Sequence, residues 1–523
     1  MSSSFRRSLR RGFDRAERGL DLVFGAEWNP LGQLGALGWF LFWIVAGTGI
    51  YLFIFFDTGV VNAYSSVEWL SQDHWWHAGI ARSFHRYASD LMVAVMMIHL
   101  VREFAYDRYR GVRWFSWFTG VPLIWFVYAS GITGYWLIWD ELAQYVAIVS
   151  SELLDWLPVF GEPIARNFLT PEALSGRFFT LMVFLHIAIP LILLLTMWIH
   201  IQRISRAKVN PTRELGAMVM IGLLVASLLL PANLEGPADL ARVPGDVGID
   251  WFFLPLYPLT DYIPAGAIWG GLAVFTLGLC AMPWLPPVKT PRAAEVFLDH
   301  CNGCARCVED CPYAAIDLVP RTDGAPFPQQ VTVDPGRCVA CGICMGSCPS
   351  SSPFRRSQDL VTGIDLPDYP LAELRERVLA AAASLEGPAR VLTLACEHGA
   401  AGAAEGVVTI PCIAMAPPSL IDFIISRGHA DGVALAGCAE TRCQHRFGVE
   451  WTRQRIAHER DPYLRNRVPR ARIATIWAGP TEEARFAREL SAFRDSVAAL
   501  PAEQPRVHRA ATQNLPVLDE ASS

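Results

Sequence analysis

Two pairs of histidines stand fourteen residues apart, His85 with His99 and His186 with His200, each pair inside a long apolar segment. In a helix, fourteen residues advance the chain about 21 Å and return it to within about 40° of the starting face. Each pair thus presents two imidazoles on one stripe at two depths. Two such helices facing each other offer a pair of ligands at each depth. Imidazole nitrogen is a standard axial ligand for haem iron, so the spacing predicts two stacked haems b, one on His85 and His186 and one on His99 and His200. A lone histidine in an apolar helix is more often a hydrogen-bonded contact between helices. Two pairs with one spacing on separate segments favour ligation.

The second concentration of chemistry is cysteine. Twelve of the thirteen cysteines lie between Cys301 and Cys443, in clusters with metal-ligand spacing rather than scattered as in a disulfide framework. Cys301, Cys304, Cys307 and Cys311 precede Pro312, and Cys338, Cys341, Cys344 and Cys348 precede Pro349. Such runs resemble the bacterial two-cluster ferredoxin pattern, in which the fourth cysteine of each run ligates the other cluster. The expectation is one [4Fe-4S] cluster on Cys301, Cys304, Cys307 and Cys348 and a second on Cys338, Cys341, Cys344 and Cys311. A zinc ribbon needs two Cys-x-x-Cys pairs and leaves half of these cysteines unused.

Further along, the strand-like stretches VLTLAC, VVTIPC and VALAGC end in Cys396, Cys412 and Cys438, with Cys443 five residues later. Ligands at the carboxyl ends of parallel strands converge on one edge of a sheet. Four thiolates there suit a [2Fe-2S] cluster. Buried strand-end cysteines are the plain alternative, and zinc is another, since His398 and His445 lie two residues from cysteines. Cys280, alone in an apolar segment, reads as a packing residue.

These groups need elements to hold them. The chain has 523 residues, 52% of them hydrophobic, which is too long for one small domain and too apolar for an ordinary soluble one. Six segments suit a bilayer span, at about 35–57, 87–106, 114–138, 178–202, 214–231 and 265–285. Arginines at 6, 7, 10, 11, 15 and 18, then Arg108, Arg110, Arg113, Arg203, Arg206, Lys208 and Arg213, lie on one side of these spans. The opposite loops carry Asp73, Asp140, Glu141, Glu152, Asp155, Glu162, Asp239, Asp246 and Asp250. By the positive-inside rule, both termini and the cysteine-rich part face the cytoplasm. His99 and His200 then lie near the inner face and His85 and His186 near the outer one. The arginine-rich start is not followed by the short apolar core and cleavage site of a signal peptide. A net charge of −6 gives no reason to expect nucleic-acid binding.

The expected fold class is multidomain: a basic cytoplasmic arm at 1–24, an all-α six-helix membrane bundle at 25–287, a ferredoxin-like α+β domain at 288–358, a linker or helix at 359–389, a small parallel α/β domain at 390–480, and a helical then flexible tail at 481–523.

Gly35 and Gly49 on the first span, and Gly120 and Gly134 on the third, repeat the fourteen-residue interval. A porphyrin edge can approach a helix backbone closely only where no side chain stands. With the histidines, these glycines make residues 25–285 resemble the cytochrome b/b6 family. The resemblance implies haem-propionate partners at Arg82 and Arg102, whose forked guanidinium suits carboxylates; Pro190 also falls on the family pattern. It implies an outer quinone pocket from Gly131–Asp140, including Tyr135, and Asp250–Leu259. There Ile138 and Ile249 replace family prolines, and Asp250 stands in for a glutamate implicated in accepting a quinol proton. Gln33 occupies the place where the b6 branch attaches a further haem through cysteine, so no covalent haem is expected. A homodimer in contact with membrane lipid is also implied. Around Cys438–His445, the Gly-Cys and Cys-x-His pattern resembles the iron–sulfur delta subunit of hydrogenases that work with heterodisulfide reductase, over about residues 390–460.

The order of these parts predicts a quinone-linked oxidoreductase subunit in a bacterial or archaeal cytoplasmic membrane. A soluble flavoprotein or iron–sulfur dehydrogenase partner supplies electrons, which pass through the three clusters and two haems to quinone. No nucleotide-binding glycine fingerprint follows a strand, so a flavin or NADH belongs to another subunit. The alternatives are quinol oxidation driving reduction of a low-potential cytoplasmic acceptor, and a membrane redox sensor.

Overall fold

The computed structural model describes residues 3–159, 169, 176–202, 207–286, 291–351, 362–402 and 406–501. Glu162, Arg203 and Arg206, counted above toward topology, lie outside the described residues, as does the tail beyond 501. The chain divides into two compact units, Met1–Thr290 and Pro291–Ser523.

The first unit is helical: α1 (Ser3–Phe24), α2 (Leu34–Phe55), α3 (Ala63–Gln72), α4 (Ile80–Ala105), α5 (Trp114–Ile138), α6 (Glu141–Asp155), α7 (Gly176–Ile201), α8 (Arg213–Leu229) and α9 (Ala265–Ala281). All six apolar segments read from the sequence are helices. Among the described residues, four stretches, Pro30–Phe55, Gly111–Ile138, Phe178–Ile201 and Ala265–Trp284, are long and apolar enough to cross a membrane. The other two differ for separate reasons. Helix α4 carries Arg82, Arg86, Asp90, Arg102 and Glu103, and α8 has only 17 residues. Ile50, Phe53 and Ile54 on α2, Leu191 and Leu195 on α7, and Leu224 and Leu228 on α8 are exposed. A continuous apolar surface of this kind is what a bilayer covers.

Two features extend the sequence reading. Helix α4 starts at Ile80, ahead of its apolar stretch, because its polar first turns are anchored: Ser83 Oγ accepts from Ala232 N at 3.0 Å, and Arg82 donates to the carbonyl of Asn233 at 3.1 Å. The basic arm is a helix whose acidic residues Asp14 and Glu17 are buried. Tyr106 Oη donates to Asp14 at 2.6 Å, and Arg102 Nε donates to Glu17 at 2.8 Å.

In the second unit, β1 (Glu295–Val296), α10 (Arg306–Glu309), β2 (Ile316–Pro320), β3 (Gln329–Val333), α11 (Ile343–Ser347) and β4 (Ile364–Asp365) form two antiparallel ladders, β1 with β4 and β2 with β3. Each cysteine run spans one of the two short helices. After α12 (Leu371–Ala383) come β5 (Val391–Cys396), β6 (Val407–Ile410), α13 (Pro418–Ser426), β7 (Gly432–Gly437), α14 (Gly448–Ile456), β8 (Ile473–Trp477) and α15 (Glu483–Ala498). The four strands make a parallel sheet in the order β6-β5-β7-β8.

The central strands β5 and β7 are buried along their length, as a parallel sheet covered on both faces requires. Alternation sorts their side chains between two cores. Val391, Ala395, Ala434 and Ala436 pack with Phe486, Leu490 and Val497 of α15. Leu392, Leu394, Val433 and Leu435 pack with Leu420 and Ile424 of α13, and the same core continues into Ile316, Val331, Met345 and Ile364. The cysteine-run segment and the sheet are therefore joined by shared apolar packing. At their junction a Cβ on Gly346 would lie 1.9 Å from the Ala414 carbonyl oxygen, so the two backbones touch where only glycine fits. Overpacking costs about 1–3 kcal/mol. Gly346→Ala is expected to lower the thermal transition of the full-length protein by several degrees in circular dichroism, and an unchanged melt would count against this contact.

Candidate metal centres

Each of the four imidazoles rests on a glycine of a neighbouring helix. A Cβ on Gly49 would lie 3.0 Å from His85 Cε1, on Gly134 2.8 Å from His186 Cε1, on Gly120 3.2 Å from His200 Cε1, and on Gly35 3.8 Å from His99 Cε1. Along α2 and α4 the glycine order opposes the histidine order, so the helices run antiparallel with their two fourteen-residue intervals in register. The same holds for α5 and α7. The glycines were read as room for a porphyrin edge; they also make room for the imidazole rings.

The second ring nitrogen is held as well. His85 Nδ1 is 3.0 Å from the Val45 carbonyl, His186 Nδ1 is 2.9 Å from the Ser130 carbonyl, and His200 bonds to the Ser116 carbonyl. Each acceptor lies four residues before the glycine on which its ring rests. A ring donating from Nδ1 leaves the Nε2 lone pair free, which is how metal-ligating histidines are oriented. Thr48, Thr119 and Thr133, each just before a glycine, put Oγ1 within 3.2, 3.2 and 3.4 Å of the same nitrogens. This Thr-Gly dipeptide is a signal the sequence reading missed. Leu34 takes the threonine's place beside Gly35.

The rings of His85 and His186 have centroids 6.3 Å apart. That is close to the separation of two imidazoles each holding one metal atom at about 2 Å through a single nitrogen. His200 has His99 as its electrostatic neighbour at the other level. The residues present fit a bis-histidine metal at each depth. Arg82 and Arg102 flank these levels but are engaged by protein oxygens, Arg82 by Ser71 Oγ and the carbonyls of Ala232 and Asn233, and Arg102 by Glu17 and Glu103.

Tyr135 and Asp250, singled out from two separate stretches, are brought together: Tyr135 Oη donates to Asp250 Oδ2. Two further residues complete the group. Arg86 reaches Asp250 at 3.0 Å and Asp90 at 3.1 Å, and its guanidinium lies 5.0 Å from the centre of the Tyr135 ring. Among the described residues, Asp90 Oδ1 has no hydrogen-bond partner. One guanidinium serves two carboxylates, the buried Asp250 and the partly buried Asp90, and an uncompensated charge in an apolar interior is costly. The Arg86–Asp90 pair at i,i+4 inside an apolar helix was the sequence signal of this quartet.

The thiols gather in three sets. Cys301, Cys304, Cys307 and Cys348 line one cavity with Ala305 and Val331. Burial pushes the Cys307 thiol up to about 12, with Cys348, Cys304 and Cys301 adding to the effect. Burial also pushes Cys344 well above the ordinary thiol range, and its neighbours are Cys341, Cys307, Cys338 and Cys311. Cys348 thus lies with Cys301, Cys304 and Cys307, and Cys311 has Cys338 beside it. At the carboxyl edge of the sheet, Cys396 Sγ and Cys438 Sγ are 3.8 Å apart; the hydrogen bond between them, with burial, moves Cys438 up to about 12. Cys412 and Cys443 flank Gly448, where a Cβ would lie 2.4 and 3.4 Å from their sulfurs.

Thiols held this far up stay protonated on their own, so thiolate here needs bound metal to supply the compensating charge. Among the described residues no three histidine, cysteine, aspartate or glutamate side chains gather where a single metal ion would sit. The sets also adjoin one another. Cys412 has Cys341 among its neighbours and Cys344 has Cys307, which puts the three sets in series.

Residues 24–208 match the cytochrome b/b6/petB family, residues 300–352 the 4Fe-4S dicluster domain, and residues 391–501 the delta subunit of methyl-viologen-reducing hydrogenase. The membrane unit is cytochrome b-like. Cytochrome b of Rhodospirillum rubrum is 25% identical over 300 residues, covering 51% of this chain and 72% of the relative. Cytochrome b6 of Porphyra purpurea is 27% identical over 183 residues, covering 34% of this chain and 82% of the relative. A solved structure of a hyperthermophilic respiratory Complex III aligns at 22% identity with a TM-score of 0.39, covering 48% of this chain and 74% of that one. The two families matched beyond residue 299 follow in the order read from the sequence.

Two expectations follow from the geometry. Gly134→Ala, whose Cβ meets His186 at 2.8 Å, is expected to lower haem content by about half in a pyridine haemochrome assay, whereas Gly35→Ala, at 3.8 Å, retains it; equal behaviour of the two would refute the seating argument. Cys348→Ser is expected to remove the same paramagnetic iron–sulfur signal as Cys307→Ser. Loss of the signal shared with Cys344→Ser instead would reverse the crossed assignment.

Proposed function

We propose that this chain is the membrane electron-transfer subunit of a quinone-linked oxidoreductase, joining a soluble flavoprotein or iron–sulfur dehydrogenase partner to the quinone pool. His85 and His186 would hold the outer haem b, and His99 and His200 the inner one. Cys301, Cys304, Cys307 and Cys348 would hold one [4Fe-4S] cluster, Cys338, Cys341, Cys344 and Cys311 the second, and Cys396, Cys412, Cys438 and Cys443 a [2Fe-2S] cluster. When bound, these groups supply one-electron carriers.

The observation that carries the reading is the serial arrangement of ligand sets: imidazole pairs at two depths of one helical bundle, and three thiol sets each adjoining the next. The protein's own part is to orient the ligands. The carbonyls of Val45, Ser130 and Ser116 fix three imidazoles. The arginine-rich loops support a cytoplasmic placement of the N-terminus and the cysteine-rich unit, in the inner membrane of a bacterium or archaeon.

At the outer level, Asp250, Asp90, Arg86 and Tyr135 handle one of the two protons that two-electron quinone chemistry requires. With electrons arriving from the cytoplasmic side, Asp250 gives a proton to reduced quinone and is recharged through Asp90. In the reverse direction, quinol oxidation, the surplus carboxylate of the quartet accepts one. The unpartnered Asp90 oxygen serves either direction, so the potentials of the bound centres choose between them: clusters lying above the haems would select quinol oxidation.

The test uses membranes containing the full-length protein and its native donor. Asp250→Asn and Asp90→Asn are expected to slow quinone turnover by about 100-fold, the scale of a lost proton-transfer group, while dithionite still reduces the iron–sulfur centres at the wild-type rate. His99→Ala is expected to stop quinone reduction while the donor is still oxidised by an artificial acceptor. Unchanged quinone turnover in all three variants would reject the proposed route.

A further inference from the structure

One buried cation is bonded next to a ligand of every thiol set. Arg455, on α14, has a side chain only 2% exposed. Its guanidinium donates to Asp310 Oδ2, to Ser347 Oγ at 2.6 Å, and to the Ala414 carbonyl at 3.0 Å. Asp310 immediately precedes Cys311, Ser347 immediately precedes Cys348, and Ala414 lies two residues after Cys412. Those cysteines belong to three different sets. A single planar fork thus ties together the backbones that present them.

The surroundings make this arrangement tight and charged. Asp310 is 2% exposed and Ser347 is fully buried. Ser347 Oγ donates to Asp310 at 2.6 Å, and Arg460 takes the other Asp310 oxygen while lying 4.8 Å from the centre of the Trp451 ring. A Cβ on Gly346 would approach Arg455 Nη1 to 2.9 Å. Two guanidiniums to one carboxylate leave one positive charge in surplus. A buried ion pair is often matched in stability by apolar residues of similar volume, so packing alone gives no reason for a cation here. Anionic iron–sulfur centres held by the three adjoining thiol sets would give one.

We propose that Arg455 is a positioning residue that sets the mutual spacing of the three iron–sulfur centres and raises their reduction potentials together. The proposal rests on reading the thiol sets as iron–sulfur sites. A centre that accepts one electron becomes more negative by one charge. A fixed cation nearby lowers the energy of that reduced form, and an interior shielded from salt lets the effect reach every centre around it. Asp310 opposes it with the opposite sign. Charge and geometry can therefore be separated, because removing the cation and removing the carboxylate must move the potentials in opposite directions.

The experiment uses the full-length protein, reduced stepwise with dithionite and followed by electron paramagnetic resonance, after iron and sulfide content is measured for each variant. In Arg455→Met, all three centres are expected to titrate lower. At the wild-type midpoint, the reduced-to-oxidised ratio of each falls about tenfold, equivalent to about 59 mV for a one-electron centre. In Asp310→Asn they titrate higher. Arg455→Lys keeps the charge and loses the fork, so potentials stay near wild type while the magnetic coupling between centres changes. Should Arg455→Met fail to fold, Asp310→Asn and Arg455→Lys still decide the matter. Unshifted potentials in cluster-loaded Arg455→Met or Asp310→Asn, a shift confined to one centre, or shifts of the same sign in those two variants overturn the proposal. Absence of iron and sulfide from the wild-type protein would instead overturn the reading on which it rests, and shows before any variant is made.

Discussion

A polar ligand group can sit in an apolar interior only if its remaining polar atoms are satisfied, and both units are organised around that constraint. An imidazole N–H left without an acceptor in such a place costs about 1–3 kcal/mol. In the helical unit the acceptor is a carbonyl of the neighbouring helix, already committed to its own helical bond, so the ring must lie almost against the backbone. Only glycine allows that approach. The chain of requirements runs from the imidazole to the carbonyl and from the carbonyl to the glycine for His85, His186 and His200. Helices α2 with α4 and α5 with α7 are paired antiparallel, with the fourteen-residue intervals of glycine and histidine in register.

This explains which parts could be read from the chain. Histidine, cysteine and glycine announce themselves because each is chosen for something no other residue does, and because a helix or a cysteine run repeats them at a fixed interval. The crossed grouping of Cys348 with the first run and Cys311 with the second is legible for the same reason. The six helices were legible as apolar segments, although Ile80–Arg86 was not, since Arg82 and Ser83 are held by partners from the segment at Ala232–Asn233. What could not be read is the layer that holds the ligands. Arg455 is an ordinary residue type at a position without periodicity, and its partner Asp310 is distant in sequence; Arg86 and Asp90 are marked by their i,i+4 spacing in an apolar helix, but nothing in that spacing points to Asp250. The shared core of the second unit was hidden likewise: nothing in VLTLAC says that Leu392 and Leu394 pack in the same core as Met345 and Ile364.

The N-terminal helix shows how a correct signal can carry more than its first reading. Its arginines mark a basic arm, yet Asp14 and Glu17 are the residues that dock it, by pairing with Tyr106 and Arg102 at the end of α4. Tyr106 has the guanidiniums of Arg10, Arg102 and Arg108 within 4.9 to 5.3 Å of its ring centre. The stacking lets several cations converge on one end of the bundle without facing one another unscreened. An arginine expected to meet a haem carboxylate thus has protein carboxylate beside it as well. That is the same requirement of paired charge, met with the chain's own groups.

The two kinds of chemistry proposed for this chain place opposite electrostatic demands on their surroundings. A site that gains an electron becomes more negative and is helped by a fixed positive charge, provided that charge can neither move nor be lost; guanidinium, with its very high pKa, is suited to this. Around Asp310 the surplus is positive, and Arg455 is locked by three acceptors. A site that moves protons must instead keep an acceptor unfilled. Around Arg86 one guanidinium meets two carboxylates, and among the described residues one oxygen of Asp90 has no hydrogen-bond partner. The same residue types, arginine and aspartate, build both centres. Their ratio sets the difference: two cations to one carboxylate where electrons would rest, and one cation to two carboxylates where a proton would be exchanged.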